Sequence, residues 1–287
     1  MTKSDDIRRA NHQESLNTLT PSIMILEDFH VHTNFCDGKD SPEDIVKEAI
    51  RRGMTRLGFS GHSFTAFDTE PCMSFDGTQR YMKEIIRLKA KYHGQMEILL
   101  GTEQDYYSDM TTAGYDYVIG SVHYVKVDGE YISVDHTPEI FATLIHRFND
   151  DPYKVAEEYF SLAADVVNKT NANIIGHFDL ITKFNEGNKF FDEDNPRYIS
   201  ACNYALDSLL KTGKPFEINT GAISRGWRKT PYPSAKILEY ISSHNGSVIL
   251  SSDSHSKDTL MFQFAECEAL ARKFGLRIAT ICSPQEQ

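Results

Sequence analysis

Short apolar runs alternate with amphipathic stretches from one end of the chain to the other. The runs occupy residues 23–26, 56–60, 97–102, 117–122, 172–176, 215–219 and 247–251, with a further short one at 277–282. Each reads as a strand. The stretches between them read as helices with clear ends. Ser41-Pro42-Glu43-Asp44 places a serine at the N-cap and proline at the first helical position, and Gly53 closes that helix. Thr137-Pro138, Asp151-Pro152 and Asn195-Pro196 repeat the device, while Gly94, Gly213, Gly246 and Gly275 stand where a left-handed residue ends a helix. Val155, Tyr159, Leu162, Ala163 and Val166 recur at helical spacing within one such stretch.

Repeated strand–helix alternation predicts a mostly parallel sheet with helices outside, closed into a barrel. No glycine-rich phosphate loop follows any of the strands, which disfavours a dinucleotide-binding sheet. Two connections stand out. Val127-Asp128-Gly129-Glu130 predicts a hairpin turn, and residues 180–195 form a long polar and aromatic stretch of the kind that often serves as a functional lid.

Bulk properties narrow the picture. At 287 residues the chain can bury one large core, and a single barrel over 23–287 is the economical reading, with two domains as the alternative. Residues 1–22 read as a polar N-terminal extension with no signal-peptide or transit-peptide character. A net charge of −11 argues against general affinity for nucleic acid or anionic membrane, and no apolar run approaches a membrane span. Five cysteines without a CxxC pair read as reduced thiols of a cytoplasmic protein. The oligomeric state is not legible.

Candidate chemistry collects where the strands end. The first run leads into Asp28-Phe29-His30-Val31-His32, whose side chains at alternate positions are expected to share one face, so that two imidazoles can reach one metal ion. Later runs end in GFSGH, LLGTE, IGSVH, IIGHFD and LSSDSH. These motifs bring His30, His32, His62, Glu103, His123, His177, Asp253 and His255 to one end of a parallel barrel, with Asp37 just past the first turn. Taken singly, each motif has a bland explanation in turn chemistry or core packing. Six of the eleven histidines in these settings point instead to a multinuclear metal site. The other five, His12, His93, His136, His146 and His244, read as structural or surface residues.

The set DFHVHTNFCDG, GFSGH, GTEQDY, GSVH, GHFD and SDSH resembles the polymerase and histidinol phosphatase (PHP) superfamily over residues 24 to 256, and within it histidinol-phosphate phosphatases. The resemblance implies a distorted (β/α)7 barrel carrying three divalent ions, Zn, Mn or Fe. It implies a first metal on His30, His32 and Asp253, with Glu103 bridging to a third held by His123 and His177. Asp37, His62 and His255 would hold the second. The absence of thiolate ligands agrees with such ions. One departure is Gly61, which stands before His62 where relatives commonly carry an acid.

The implied reaction is hydrolysis of L-histidinol phosphate in histidine biosynthesis, by a water activated among the metals and without a phospho-enzyme. Three divalent cations against three carboxylates leave the site positive, so an acidic protein can still bind a phosphate monoester. Arg225 and Lys183 are candidates for phosphate contact and catalysis alongside Asp253, with Lys189 and Arg228 weaker ones. Asp105 either recognises a cationic amino group of the substrate or orients a neighbour. Asp179 is a candidate support for the His177 imidazole, and Phe64 and Phe67 for the wall of a substrate pocket. No general acid can be assigned. The alternatives are another phosphoesterase of the superfamily, of broad or nucleotide or nucleic-acid specificity, and a metal-binding domain without turnover. The missing basic track disfavours the nucleic-acid case.

Overall fold

The computed structural model describes residues 25–282. The predicted N-terminal extension therefore lies outside the described residues. Ten strands and eight α-helices are seen among those described. The strands are β1 (Glu27–Asp28), β2 (Arg56–Phe59), β3 (Glu97–Asp105), β4 (Tyr117–Ser121), β5 (Tyr124–Val127), β6 (Glu130–Ser133), β7 (Ile174–Ile175), β8 (Phe216–Asn219), β9 (Ser247–Ser251) and β10 (Arg277–Ile278). The helices are α1 (Pro42–Arg51), α2 (Phe75–Lys91), α3 (Pro138–Arg147), α4 (Pro152–Thr170), α5 (Pro196–Leu210), the single turn α6 (Gly221–Ser224), α7 (Ala235–Ser243) and α8 (Phe264–Lys273).

Eight strands form one parallel sheet in the order β1-β2-β3-β4-β7-β8-β9-β10. The sheet curls until its ends meet. Just beyond β1 and β9, a Val31–Ser254 bridge joins the chain, with His32 N donating to Ser254 O at 2.8 Å and Ser254 N to His30 O at 3.1 Å. At the opposite end β10 pairs with β9, and Arg56 donates to Glu27, Glu97 and the Ile281 carbonyl, tying three strand starts together. This is a distorted TIM-like barrel. The apolar run at 23–26 was expected to be the first strand, but regular pairing among described residues falls at Glu27–Asp28.

Asp28 does not share the face of His30 and His32. Its carboxylate accepts from Ser252 N, Ser252 Oγ and Met261 N, stapling β1 to the chain beyond β9. Regular pairing stops at Asp28, so the strict alternation assumed for the motif fails there. Burial pushes the Asp28 carboxyl up to about 6 in spite of these donors.

Inside the barrel Phe29, Leu99, Tyr117, Ile119, Ile174 and Ile249 fill the floor beneath the site. The Tyr117 hydroxyl donates to Phe29 O at 2.5 Å and Phe59 O at 3.1 Å. Its ring fits only because residues 58 and 101 are glycines, since a Cβ at either would overlap it. Outside, α1 and α2 pack on β2 and β3, while α3, α4, α5, α7 and α8 build the larger apolar layer.

The predicted caps are present. Ser41, Thr137, Asp151 and Asn195 accept from backbone amides in the first turns of α1, α3, α4 and α5, each followed by proline. After α7 the left-handed residue is Asn245 rather than the predicted Gly246. Gly246 is needed for space, because a Cβ there would stand 2.5 Å from Ile241 Cγ2. The β5–β6 hairpin turns at Asp128 and Gly129, both with positive φ, as the Asp-Gly pair predicts.

Candidate metal centre

Parallel strands all deliver their C-terminal ends to one rim, so residues distant in sequence become neighbours there. Glu103, on β3, is the hub and is buried. Its Oε1 lies 2.8 Å from His177 Nε2 and 3.2 Å from His123 Nε2, and accepts from Ser121 Oγ at 2.7 Å. Its Oε2 lies 2.9 Å from His62 Nδ1, 3.3 Å from His30 Nε2 and 3.5 Å from His32 Nε2. One carboxylate thus faces two groups of imidazoles, one through each oxygen. Asp253 Oδ1 adds contacts of 3.3 Å to His32 and 3.5 Å to His255. Asp37 lies 3.1 Å from His255 and 3.7 Å from His62. All nine residues singled out as ligands meet in one cluster.

The donor atoms fall into overlapping groups that could each hold an ion: His32, Asp37, His62 and His255; His30, His32 and Glu103; His62, Glu103 and His123. His32 and His62 are therefore shared between groups, whereas the implied ligation gave each to one metal. His177 meets Glu103 and Asp253 meets His32 and His255, but both stand outside these groups, so Glu103 rather than Asp253 completes the set with His30 and His32.

The chemistry of these donors fits a cation. His30 Nδ1 is 2.7 Å from Glu217 Oε1 and takes the donor role there, which leaves Nε2 with its lone pair in the neutral ring. That lone pair points at His32 Nε2, 3.1 Å away, and at carboxylate oxygens of Glu103 and Asp253. Where His32 also presents its Nε2 lone pair there, as a metal-binding imidazole does, acceptors face acceptors and a cation among them relieves the repulsion. Glu103 Oε2 is likewise buried, and none of the imidazoles beside it makes a well-aligned hydrogen bond to it among the described residues. The protein alone can meet this only with a proton. Burial disfavours charge on His30, yet Glu217, Asp253 and Glu103 outweigh it and raise that imidazole well above its ordinary value. Burial and the neighbouring His255 and His62 push His32 down to about 3. Burial opposes ionisation of Glu103 too, but His62, His30 and His123 hold its carboxyl well below the usual range.

Residues that orient the cluster come from other strands. Glu217, on β8, is fully buried and was not singled out in the sequence. Besides His30 it accepts from the His177 backbone amide at 2.9 Å and Asn219 Nδ2 at 3.1 Å. Such a carboxylate fixes the tautomer and angle of a metal-binding imidazole. The available signal was a glutamate inside the apolar run FEIN. Asp105 plays the matching part for His123, accepting from its backbone amide at 3.2 Å and lying 3.1 Å from its Nδ1. Its second oxygen accepts from Tyr107 N at 2.8 Å. The contact Asp105 makes is thus the orienting one, and it also lines the cavity over the cluster.

A cavity of about 230 Å³ opens over the cluster. Arg225, just after α6, lines it, donating to Asp253 Oδ2 at 3.1 Å and lying 2.8 Å from His255 Nδ1. Asp253 in turn lies against Gly221, where a Cβ would come within 2.5 Å of its Oδ2. Lys183 also lines the cavity, with Nζ 3.0 Å from Asp135 Oδ2.

Several expectations need correction. Asp179 does not touch the His177 ring; it accepts from Ser234 N at 3.0 Å, on the far side of the loop. Arg228 turns to Thr182 and away from the cavity, and Lys189 lies exposed over Phe190. Phe64 does not line the cavity, and Phe67 stacks on Tyr131 in a second groove that adjoins the cavity at Asp68 and Tyr124. His136 is exposed, as read, and also lines the cavity. The stretch 180–195 contributes Leu180 and Lys183 to the cavity and folds around Asn185, which accepts from Phe190 N and Phe191 N. No helix among the described residues is long and apolar enough to cross a membrane, and the five cysteines are free thiols.

Fold and site together define a parallel barrel with a histidine–carboxylate centre for divalent metal at the C-terminal rim. The PHP domain family model matches residues 28–221, and the chain belongs to that family. It is 28% identical over 274 residues to the probable histidinol-phosphatase of Schizosaccharomyces pombe, covering 88% of this chain and 87% of that one. It is 26% identical over 257 residues to the histidinol-phosphatase of Bacillus subtilis, covering 81% and 94%. Among solved structures it superposes on a putative histidinol phosphatase of Listeria monocytogenes with a TM-score of 0.70 at 20% identity, covering 84% of this chain and 99% of that one. The Lactococcus lactis histidinol phosphate phosphatase, solved with zinc, L-histidinol and phosphate, gives 0.68 at 22% identity, with coverages of 90% and 96%.

Proposed function

We propose that this chain is a metal-dependent phosphomonoesterase that hydrolyses L-histidinol phosphate to L-histidinol and phosphate, with residues 23–287 acting as one catalytic unit. The observation that carries the reading is the gathering of six imidazoles and two further carboxylates into one cluster with Glu103 in a chain whose relatives, matched over most of their length, are named histidinol-phosphatase. The ligands of the Lactococcus lactis neighbour support the same products.

In this reading His30, His32, Asp37, His62, Glu103, His123, His177, Asp253 and His255 hold three divalent ions. Bound there, such ions supply Lewis acidity toward the phosphate and a water acidic enough to be deprotonated near neutral pH. The chain's own part is positioning. Glu217 and Asp105 fix His30 and His123. Arg225, itself held by Asp253 and His255, offers a planar fork to a phosphate oxygen pair. Lys183 adds a second fixed cation, kept in place by Asp135.

The test is kcat/KM for L-histidinol phosphate after reconstitution with Mn or Zn, beside an aryl phosphate and a short single-stranded DNA. A preference for histidinol phosphate is expected. Equal rates on both monoesters would keep the phosphatase chemistry and overturn the substrate, and cleavage of DNA alone would overturn the reading. Arg225→Ala should lower kcat/KM by roughly 10²-fold or more while metal content stays. His30→Ala and His177→Ala should lose both metal and turnover, and full activity with full occupancy would refute their assignment.

A further inference from the structure

Beyond the proposed ligands, three carboxylates line the cavity: Asp68, Asp105 and Asp135. Two of them already face positive or titratable partners. Asp105 is turned to His123, and Asp135 is paired with Lys183. Asp68 differs. Its Oδ2 accepts from the Tyr124 hydroxyl at 2.8 Å, and its Oδ1 from the Glu70 amide at 3.3 Å. Both donors are neutral, and no lysine, arginine or histidine among the described residues is within ion-pair distance of it.

Its place in the cavity matters as much as its charge. Asp68 and Tyr124 line the space over the metal-binding cluster and also the adjoining groove, which holds about 390 Å³ and includes Phe67, Tyr131 and Ile132. Phe67 and Tyr131 stack there with ring centroids 3.9 Å apart. Asp68 therefore stands where the two spaces meet, with Arg225 and Lys183 toward the inner one and aromatic faces toward the outer. Tyr124 follows His123 directly in the chain, so the group that holds Asp68 is built onto the same segment as a proposed metal ligand.

We infer that Asp68, held by Tyr124, anchors a primary ammonium group on the alcohol half of the substrate and so selects phosphate esters of amino alcohols. The inference rests on the phosphomonoesterase reading above. A molecule anionic at one end and cationic a few bonds away matches the order of charges along the cavity, and the carboxylate gains the cation it lacks. A hydrogen bond between two charged groups is also stronger than one between neutral groups, which suits it to selection.

The experiment uses the full chain loaded with Zn or Mn and compares kcat/KM for L-histidinol phosphate with that for the same ester carrying hydrogen in place of the amino group. The wild-type enzyme is expected to favour the amino ester by roughly 10- to 100-fold. Asp68→Asn should bring that ratio close to one, mainly through KM, and Asp68→Glu should restore part of it. Tyr124→Phe, which keeps the charge but releases the carboxylate, should lower the ratio by a smaller factor, roughly 3- to 10-fold. Metal content and thermal melting of each variant show whether it is folded and loaded. If wild type discriminates and folded, loaded Asp68→Asn discriminates equally, the inference is overturned while the substrate assignment stands. If wild type prefers neither ester over an aryl phosphate, the substrate assignment fails and the inference falls with it.

Discussion

Glu217 shows how one side chain can govern a site without facing the substrate cavity. It touches the His30 ring and the His177 backbone, so it sets the angle of one proposed ligand and the path of the chain carrying another. Glu217→Gln keeps the shape but removes the charge that favours a metal-binding His30. Metal affinity is expected to fall roughly 10- to 100-fold with little loss of secondary structure, as competition with a chromogenic chelator would measure. An unchanged affinity would reduce Glu217 to a packing residue. Asp105 is the same device applied to His123, and its two roles could not be separated in the sequence because both need only a carboxylate beside a strand end.

At the scale of elements, the barrel floor determines how well the rim is placed. Tyr117 crosses the interior and joins the ends of the first two strands through Phe29 O and Phe59 O. Tyr117→Phe leaves two buried carbonyls without that donor and should destabilise the fold by about 1–3 kcal/mol, readable by urea denaturation. Because Phe29 immediately precedes His30, a loss of activity beyond the fraction unfolded would show that the floor also holds the ligands. The helix caps were legible because a cap is a local event, complete within four residues. Gly246 departs from its expected left-handed role for the opposite reason: its constraint is a methyl of Ile241 and has no signature in the backbone around it.

For the whole molecule, the centre unites elements from the first strand to the last turn of the barrel. The backbone bonds between residues 30–32 and 254 that close the sheet lie among the proposed ligands. Metal binding is therefore linked to closure. Ligands on distant elements cannot be preformed in the unfolded chain, so bound metal adds to global stability. Removing divalent ions with a chelator should lower Tm, and adding back Zn or Mn should raise it progressively with concentration. A Tm indifferent to metal would mean that the rim is ordered by its carboxylates and imidazoles alone.

The order of strands and helices, the caps, the hairpin turn and the nine candidate ligands were all readable in the sequence. Each is carried by a short contiguous pattern: an apolar run, a cap-proline pair, or a histidine or acid directly after a strand. What only the tertiary structure decided is which residues those patterns meet. Glu217 lies 187 positions from His30, and Asp28 lies 224 positions from the Ser252 it staples. The same holds for Asp179, which turns to Ser234 rather than to its sequence neighbour His177, and for Asp68, whose significance is that no cation among the described residues reaches it. A carboxylate's role depends on what faces it, and what faces it here is set by the closing of the barrel.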